Sequence, residues 1–188
     1  MTRKKAAELL HEHIKNPNLR KHCYAVEAVM ISLAKRFKEN EEKWGVSGLL
    51  HDVDYEKTKD DPESKHTKEA LKWLEELDAG SDLKDAVTSH AWGYVKGAPE
   101  PKTKMEWSLY CCDELTGLIV AVALVKPNKR LSSVTVDSVM GKWNSPSFAA
   151  GVNRKQIEIC QERLNIPLRE FVEISLSAMQ GISDDLNL

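Results

Sequence analysis

The sequence predicts an all-α protein, a compact bundle of about eight to nine helices. Apolar residues recur at three- and four-residue spacings through most of the 188 residues, which is the period of helices that bury one face. Strand-like alternation is not sustained, and the nearest case, SSVTVDSV, contains serines that suit a helix start. Pro17, Pro62 and Pro167 each stand where a first helical turn would begin.

The helices are predicted in order at residues 2–15, 17–39, 41–53, 62–78, 81–91, 104–125, 133–143, 153–164 and 167–183. The first, MTRKKAAELLHEHIK, is charged throughout, which favours an amphipathic helix over a signal peptide. His22 lies in the apolar stripe of the second helix, and His51-Asp52 closes the third after an apolar run. Gly80 is the expected C-terminal stop of the fourth helix.

The later helices are identified by other features. The sixth contains the run LTGLIVAVALV, which is about half the ~20 residues of a membrane span and therefore predicts a buried core helix. Ser132 and Ser133 are expected to cap the seventh helix, and Asn153 the eighth. The ninth helix, with Phe171, Ile174 and Met179, is either core or a face for a possible homodimer, and core is favoured.

Composition bounds the class of protein. The chain is expected to form a single domain over residues 1–188 with a cytoplasmic location and no membrane partner. Its net charge of -2 gives no basic field, so binding to a nucleic acid duplex is not indicated. The four cysteines have no CxxC spacing, which favours reduced structural thiols over a zinc ribbon or a disulfide framework.

Metal-competent side chains fall on or at the ends of apolar helix faces. The candidates are His22, His51, Asp52, His66, His90 and Asp113. A single buried histidine is most often a satisfied core residue, and a buried carboxylate without a partner is costly. A shared metal site would supply the missing countercharge for the whole set. His11 and His13, on a short charged helix, are expected to be solvated surface residues.

The order His22, His51-Asp52, Asp113 resembles the HD-domain superfamily of metal-dependent phosphohydrolases. LLHDVDYE followed by DPESKH looks like the HDIG-type members, VTSHAWGY like their next ligand helix, and CCDELTGLIVA like the helix with the final aspartate. The resemblance covers about residues 20–125, and KWNSPSFAAGVNRKQIE is similar to the C-terminal part of small bacterial and archaeal members. It implies an HD-like helical bundle with a metal site in its core, on which helices 133–185 pack.

By this resemblance, His22, His51, Asp52 and Asp113 would hold one divalent metal. Asp52 would bridge to a second ion on His66 and His90, although these two histidines could instead bind substrate phosphate beside a single metal. We therefore expect one or two ions of Mn, Fe, Co, Ni or Zn, which this mixed nitrogen and oxygen set suits equally. The expected catalytic residues are Asp52, His66 and His90.

The sequence departs from the HDIG wording after the HD dipeptide, where Asp54 and Tyr55 replace a common Gly and Lys. Asp54 is interpreted either as a hydrogen-bond partner of a ligand imidazole or as a surface carboxylate at a helix end. The candidate phosphate contacts are the cationic side chains of Lys57, Lys65, Lys96, Lys102 and Arg154, although a lysine of this kind is more often a solvated loop charge. Arg154 is placed at a helix start, where free N–H groups also favour an anion.

The resemblance implies hydrolysis in which metal-activated water attacks a phosphomonoester or nucleotide-type substrate. The expected partner is thus a small phosphorylated metabolite or nucleotide. Two alternatives stay open at this point. Di-iron oxygenases of the inositol-oxygenase type use the same order of ligands, and a metal-stabilised sensor or binding domain needs no reaction.

Overall fold

The computed structural model describes residues 1–145 and 147–188, and across these residues it is all-helical with no strand. The predicted all-α class is therefore confirmed. The helices are α1 (Arg3–His13), α2 (Pro17–Phe37), α3 (Glu41–Leu50), α4 (Tyr55–Thr58), α5 (Pro62–Lys65), α6 (Lys68–Glu76), α7 (Ser81–Ser89), α8 (Lys104–Leu124), α9 (Val136–Met140), α10 (Arg154–Glu158), α11 (Cys160–Arg163), α12 (Leu168–Gln180) and α13 (Ser183–Leu186).

The long helices α2 and α8 form the centre of the bundle, and both are capped at their starts. Asn16 accepts a hydrogen bond from the Asn18 N–H in front of α2, and Thr103 accepts one from the Glu106 N–H in front of α8. These bonds satisfy N–H groups that have no partner within the helix. The two helices pack on each other, on α12 and on α3, and this arrangement fixes the frame in which the polar side chains meet.

Helix α3 packs on α2 more extensively than any other pair of helices in the described chain. Gly48 permits this close approach, because a Cβ atom there would lie 2.9 Å from the backbone of Val26 and Glu27. The close approach matters for the site, since α3 ends at Leu50 and the chain then continues directly into His51 and Asp52.

By length and composition alone, helix α8 is long and apolar enough to cross a membrane. However, 67% of its apolar 18-residue stretch is buried inside the bundle. Leu109, Leu115, Leu118 and Ile119 are all completely buried. The expectation that LTGLIVAVALV belongs to a buried core helix is therefore confirmed.

The predicted helix at 62–78 is wrong in its middle. Helix α5 ends at Lys65, His66 is extended with φ −56° and ψ 144°, and Thr67 is left-handed with φ 69° before α6 begins. His66 therefore lies between two helices, and the prediction that places it within one continuous helix is wrong. The break has a physical cause, because the Asp54 carboxylate holds the His66 ring and accepts hydrogen bonds from the first turn of α6.

Other helix boundaries also differ from the prediction. Gly80 does not terminate α6; the left-handed residue after that helix is Asp78, and Gly80 precedes α7 as its N-cap. Ser132 and Ser133, which were expected to cap the seventh helix, lie in a short 3₁₀ turn instead. The cap of α9 is Thr135, which exchanges hydrogen bonds with Ser138. Tyr55–Thr58, expected to be irregular, forms α4.

The C-terminal helices follow the favoured interpretation. The predicted helix at 153–164 is divided into α10 and α11, and Asn153 caps α10 as expected. In α12, Phe171 and Met179 are fully buried, which makes this helix core. All four cysteines are free and buried, as predicted.

Candidate metal centre

The fold brings all of the predicted ligand candidates into one cluster. His22 comes from the second turn of α2 and Asp113 from the middle of α8. His51 and Asp52 follow α3, while His66 lies in the break between α5 and α6 and His90 directly follows α7. The imidazole and carboxylate atoms within the cluster lie between 2.9 and 3.8 Å from their neighbours.

The rings of His51 and His90 are oriented by the last turns of their own helices. The Nδ1–H of His51 donates to the Gly48 carbonyl at 2.8 Å, and that of His90 donates to the Val87 carbonyl at 2.6 Å. A carbonyl oxygen only accepts, so Nδ1 carries the proton in both rings. The Nε2 nitrogens therefore face the cluster, and each offers a lone pair when its ring is neutral.

His66 and His22 are oriented by side chains instead. Nδ1 of His66 lies 2.8 Å from an oxygen of Asp54. Nδ1 of His22 lies 3.3 Å from the Thr116 hydroxyl, which itself donates to the Asp113 carbonyl at 2.8 Å and so accepts from the ring. All four histidines thus direct Nε2 toward the same interior space.

Asp52 lies between two pairs of histidines. Its Oδ1 atom is 3.2 Å from Nε2 of His66 and 3.5 Å from Nε2 of His90. Its Oδ2 atom is 3.8 Å from Nε2 of His22 and 3.6 Å from Nε2 of His51. One carboxylate oxygen therefore faces each pair, which is the arrangement of a bridging ligand.

Asp113 completes the pair formed by His22 and His51. Its Oδ1 atom is 2.9 Å from Nε2 of His22 and 3.4 Å from Nε2 of His51. Two groups of ligand atoms are compact enough for an ion, one formed by His22, His51 and Asp113 and the other by His51, Asp52 and His90.

The cluster fits divalent cations on chemical grounds. Nε2 atoms meet at 3.2 Å between His22 and His51 and at 3.1 Å between His66 and His90. Two lone pairs facing at such distances repel unless a proton or a cation lies between them. Ligand atoms that share an ion at about 2.1 Å stand roughly 3.0 to 3.4 Å apart, so these separations suit a shared metal.

Charge within the cluster shifts the pKa values of its members. Burial lowers the pKa of His51, but the carboxylates of Asp52 and Asp113 outweigh it and raise that pKa to about 9. In the same way Asp52 and Asp54 outweigh burial and raise the pKa of His66 to about 10. For Asp113, burial is outweighed by His51 and His22, which hold its pKa well below the usual range. The cluster therefore attracts positive charge strongly.

Asp54 is the most enclosed carboxylate near the cluster, with its side chain 0% exposed. One oxygen contacts Nδ1 of His66, and the other accepts the N–H groups of Glu69 and Ala70 at 3.2 and 3.0 Å. This carboxylate lies in the interior and contacts a candidate ligand. The alternative of a surface carboxylate at a helix end does not fit its position.

A cavity of about 290 Å³ opens beside the cluster. Its lining combines the cluster members Asp52, His66, His90 and Asp113 with residues outside it, namely Tyr55, Ala91, Tyr94, Glu114, Gly151 and Gln156. The side chains of Asp52 and Asp113 are 15% and 21% exposed, whereas that of His51 is fully buried. The two carboxylates can therefore be reached from the cavity, while His51 behind them is enclosed.

The candidate phosphate contacts lie outside the described lining of this cavity. The ammonium of Lys57 lies 2.7 Å from Glu69, that of Lys65 lies 3.6 Å from Asp61, and Lys96 and Lys102 are exposed. The Arg154 guanidinium donates to backbone carbonyls, at 2.6 Å in the case of Phe148. None of these side chains is among the described residues that line the cavity, so their contact with phosphate stays a prediction that the lining does not support.

Four polar cavity residues were not predicted as site residues from the sequence: Tyr55, Tyr94, Glu114 and Gln156. Glu114 follows Asp113 directly, and Gln156 belongs to the quoted KWNSPSFAAGVNRKQIE segment, so both lay within recognised motifs. No spacing rule indicates that they face the same cavity. By contrast, His11 contacts the Tyr24 hydroxyl and His13 stacks on Trp73, both away from the cluster.

Comparison with known proteins supports the metal centre through the protein family and not through a single relative. No curated protein matches the chain. The HD domain family model matches residues 19–116, just over half of the chain, and this span contains every member of the cluster. HD domains bind divalent metals through histidine and aspartate side chains, in keeping with the two groups found here. The chain belongs to the HD-domain family.

Proposed function

We propose that this protein is a metal-dependent phosphohydrolase that uses two divalent ions to release phosphate from a phosphomonoester or nucleotide-type substrate. Family membership supports the coarser statement, a metal-dependent hydrolase of the phosphohydrolase superfamily. The observation that carries the proposal is Asp52, whose two oxygens face two separate histidine pairs. Such a bridging carboxylate is typical of sites that hold two ions.

The attacking group is inferred to be water. No serine, threonine or cysteine is among the described residues that line the cavity, so a covalent intermediate on one of these side chains has no support. When bound, a divalent ion lowers the pKa of a coordinated water toward neutrality and stabilises negative charge on phosphoryl oxygens. The protein contributes rigid, enclosed imidazoles whose Nδ1 bonds fix their direction.

The test begins with protein purified without added metal and stripped with a chelator. Phosphate release from a panel of phosphomonoesters and nucleotides is then measured with Mn²⁺, Co²⁺ and Ni²⁺. We expect activity only after metal is restored, and a loss of at least about 100-fold in Asp52→Asn. Asp85→Asn, an exposed carboxylate on α7, is the matched control and should retain activity.

The oxidative alternative is distinguished in the same preparation. Di-iron chemistry of the inositol-oxygenase type would use the same side chains, so the ligand set does not separate the two reactions. Two irons per chain with oxygen uptake and no phosphate release would overturn the hydrolase proposal. Stoichiometric metal with neither activity would instead favour a metal-stabilised binding domain.

A further inference from the structure

We propose, resting on the proposed hydrolase function, that the cavity selects compact phosphomonoesters whose alcohol portion carries free hydroxyl groups, and that Glu114 and Gln156 recognise those hydroxyls. The proposal goes beyond the metal cluster, because it assigns a role to the part of the cavity that would not touch the phosphate. It depends on the charge of the lining, on the orientation of these two side chains and on the size of the cavity.

The first step is the charge of the lining. The described lining contains three carboxylates, Asp52, Asp113 and Glu114, and no lysine or arginine. Two divalent ions would add four positive charges to these three negative ones, which leaves a single positive charge with neutral imidazoles. A phosphate dianion would then leave a net charge of only −1. A triphosphate would bring further negative charge to a cavity whose protein groups supply no cation to balance it.

The second step is the acceptor on Glu114. Its Oε2 atom accepts the backbone N–H of Asn153 at 3.0 Å, which fixes the side chain against the start of α10. Within the described residues, the Oε1 atom has no hydrogen-bond partner. A carboxylate oxygen that is held in place and borders a cavity is an acceptor for a donor on the ligand.

The third step is the acceptor on Gln156. Its amide nitrogen donates to the Tyr110 carbonyl at 2.8 Å, which fixes the amide and leaves its oxygen as an acceptor for a ligand. Asn153 links this residue to Glu114, because its Oδ1 atom accepts the Gln156 backbone N–H at 3.3 Å while its own N–H goes to Glu114. Two acceptors linked through Asn153 thus border the same cavity, which matches a ligand with more than one hydroxyl donor.

The size of the cavity points the same way. At about 290 Å³, it lies at or just below the small end of the roughly 300 to 1,000 Å³ typical of ligand pockets. A sugar phosphate or a similarly small polyol phosphate is compatible with this volume, whereas a nucleoside triphosphate would extend beyond it.

The test compares matched substrates that differ only in hydroxyl groups, using metal-loaded protein. We expect kcat/KM for glycerol 3-phosphate to exceed that for propyl phosphate by at least about tenfold, since buried acceptors left unpaired disfavour the second substrate. ATP should be turned over more slowly than glycerol 3-phosphate. Equal values for the matched pair, or a preference for ATP, would overturn the inference while leaving the hydrolase proposal intact.

Two variants link the preference to its residues. Glu114→Gln and Gln156→Leu should each narrow the ratio between the matched substrates, and Glu162→Gln, an exposed carboxylate, should leave it unchanged. Metal content and thermal unfolding of each variant identify any that fails to fold. An unchanged ratio in both folded variants would show that neither residue recognises the hydroxyl groups.

A binding measurement separates this inference from the reaction itself. Phosphonates are not hydrolysed, so calorimetry can compare 3,4-dihydroxybutylphosphonate with butylphosphonate on the metal-loaded protein. Tighter binding of the dihydroxy compound, lost in Glu114→Gln, would support hydroxyl recognition even if no substrate released phosphate. Equal binding of the two phosphonates, or no binding of either, would overturn it.

Discussion

At the scale of single residues, the direction of each imidazole decides what the cluster can do. Every histidine of the cluster has its Nδ1 atom occupied, by a carbonyl for His51 and His90 and by a side chain for His66 and His22. The Nε2 atoms therefore face one interior space, where the neutral rings offer their lone pairs. The same side chains with the other nitrogen protonated would present donors and could not bind a metal.

Asp54→Asn tests the contact that orients His66. The carboxylate accepts three hydrogen bonds, from His66, Glu69 and Ala70, and an amide has only one acceptor oxygen. We expect a loss of about 1–3 kcal/mol in the free energy of unfolding. The affinity for one metal should also weaken, by roughly 10- to 100-fold. Chemical denaturation and metal titration measure the two effects. Asp60→Asn, on the exposed loop nearby, is the control, and equal behaviour of both variants would contradict the assignment.

The metal-free protein should lose stability between pH 6.5 and 8.5. Folding raises the pKa of His51 to about 9 and of His66 to about 10, so both rings stay protonated in the folded state while the unfolded chain releases its protons. Their stabilising contribution is complete below about pH 6.5 and is lost as the pH rises through the folded pKa values. Burial lowers the pKa of His90. This ring therefore destabilises the folded protein only at pH values below this interval.

Thermal unfolding with a chelator and with Mn²⁺ at both pH values measures this prediction. The metal-free Tm should fall from pH 6.5 to 8.5, whereas stabilisation by Mn²⁺ should grow, because ions bind neutral imidazoles. A metal-free Tm that rises over this interval would contradict the charge distribution described here.

At the scale of helices, most of the fold was predictable from the sequence and the breaks were not. Helices α2 and α8 follow from apolar periodicity and local caps, which a short window of sequence contains. The break at His66 depends on Asp54, twelve residues earlier in the chain, and periodicity carries no information about that contact. Likewise, the side chain of Arg154 donates hydrogen bonds to backbone carbonyls of the segment before α10. A pattern of charges in the sequence does not reveal this contact.

The contact between α2 and α3 gives a test at this scale. Gly48→Ala would place a Cβ atom 2.9 Å from the backbone of α2, so we expect destabilisation of about 1–3 kcal/mol and weaker metal binding through displacement of His51. Gly117→Ala is the matched control, because its Cβ atom would meet only one side-chain atom at 4.0 Å. It should stabilise the protein by about 0.5–1 kcal/mol, since alanine favours a helix over glycine. Urea denaturation of both variants measures the difference, and equal stability would contradict the close packing.

At the scale of the whole molecule, the bundle gathers ligands that are far apart in sequence. His22 and Asp113 belong to the two central helices, and their side chains lie 2.9 Å apart. The sequence predicted the identity of these side chains, because the polar residues stand out on apolar faces and resemble a known family. It did not predict the neutral and acidic cavity beside them, which depends on how α8 and α10 pack.

The central claim is that these side chains bind two metal ions that share Asp52. Metal per chain, measured by mass spectrometry after reconstitution and gel filtration, tests it most directly in the parent protein and in a double variant, His66→Ala with His90→Ala. We predict two ions in the parent and one in the variant, held by His22, His51, Asp52 and Asp113. One ion in both proteins would contradict the claim.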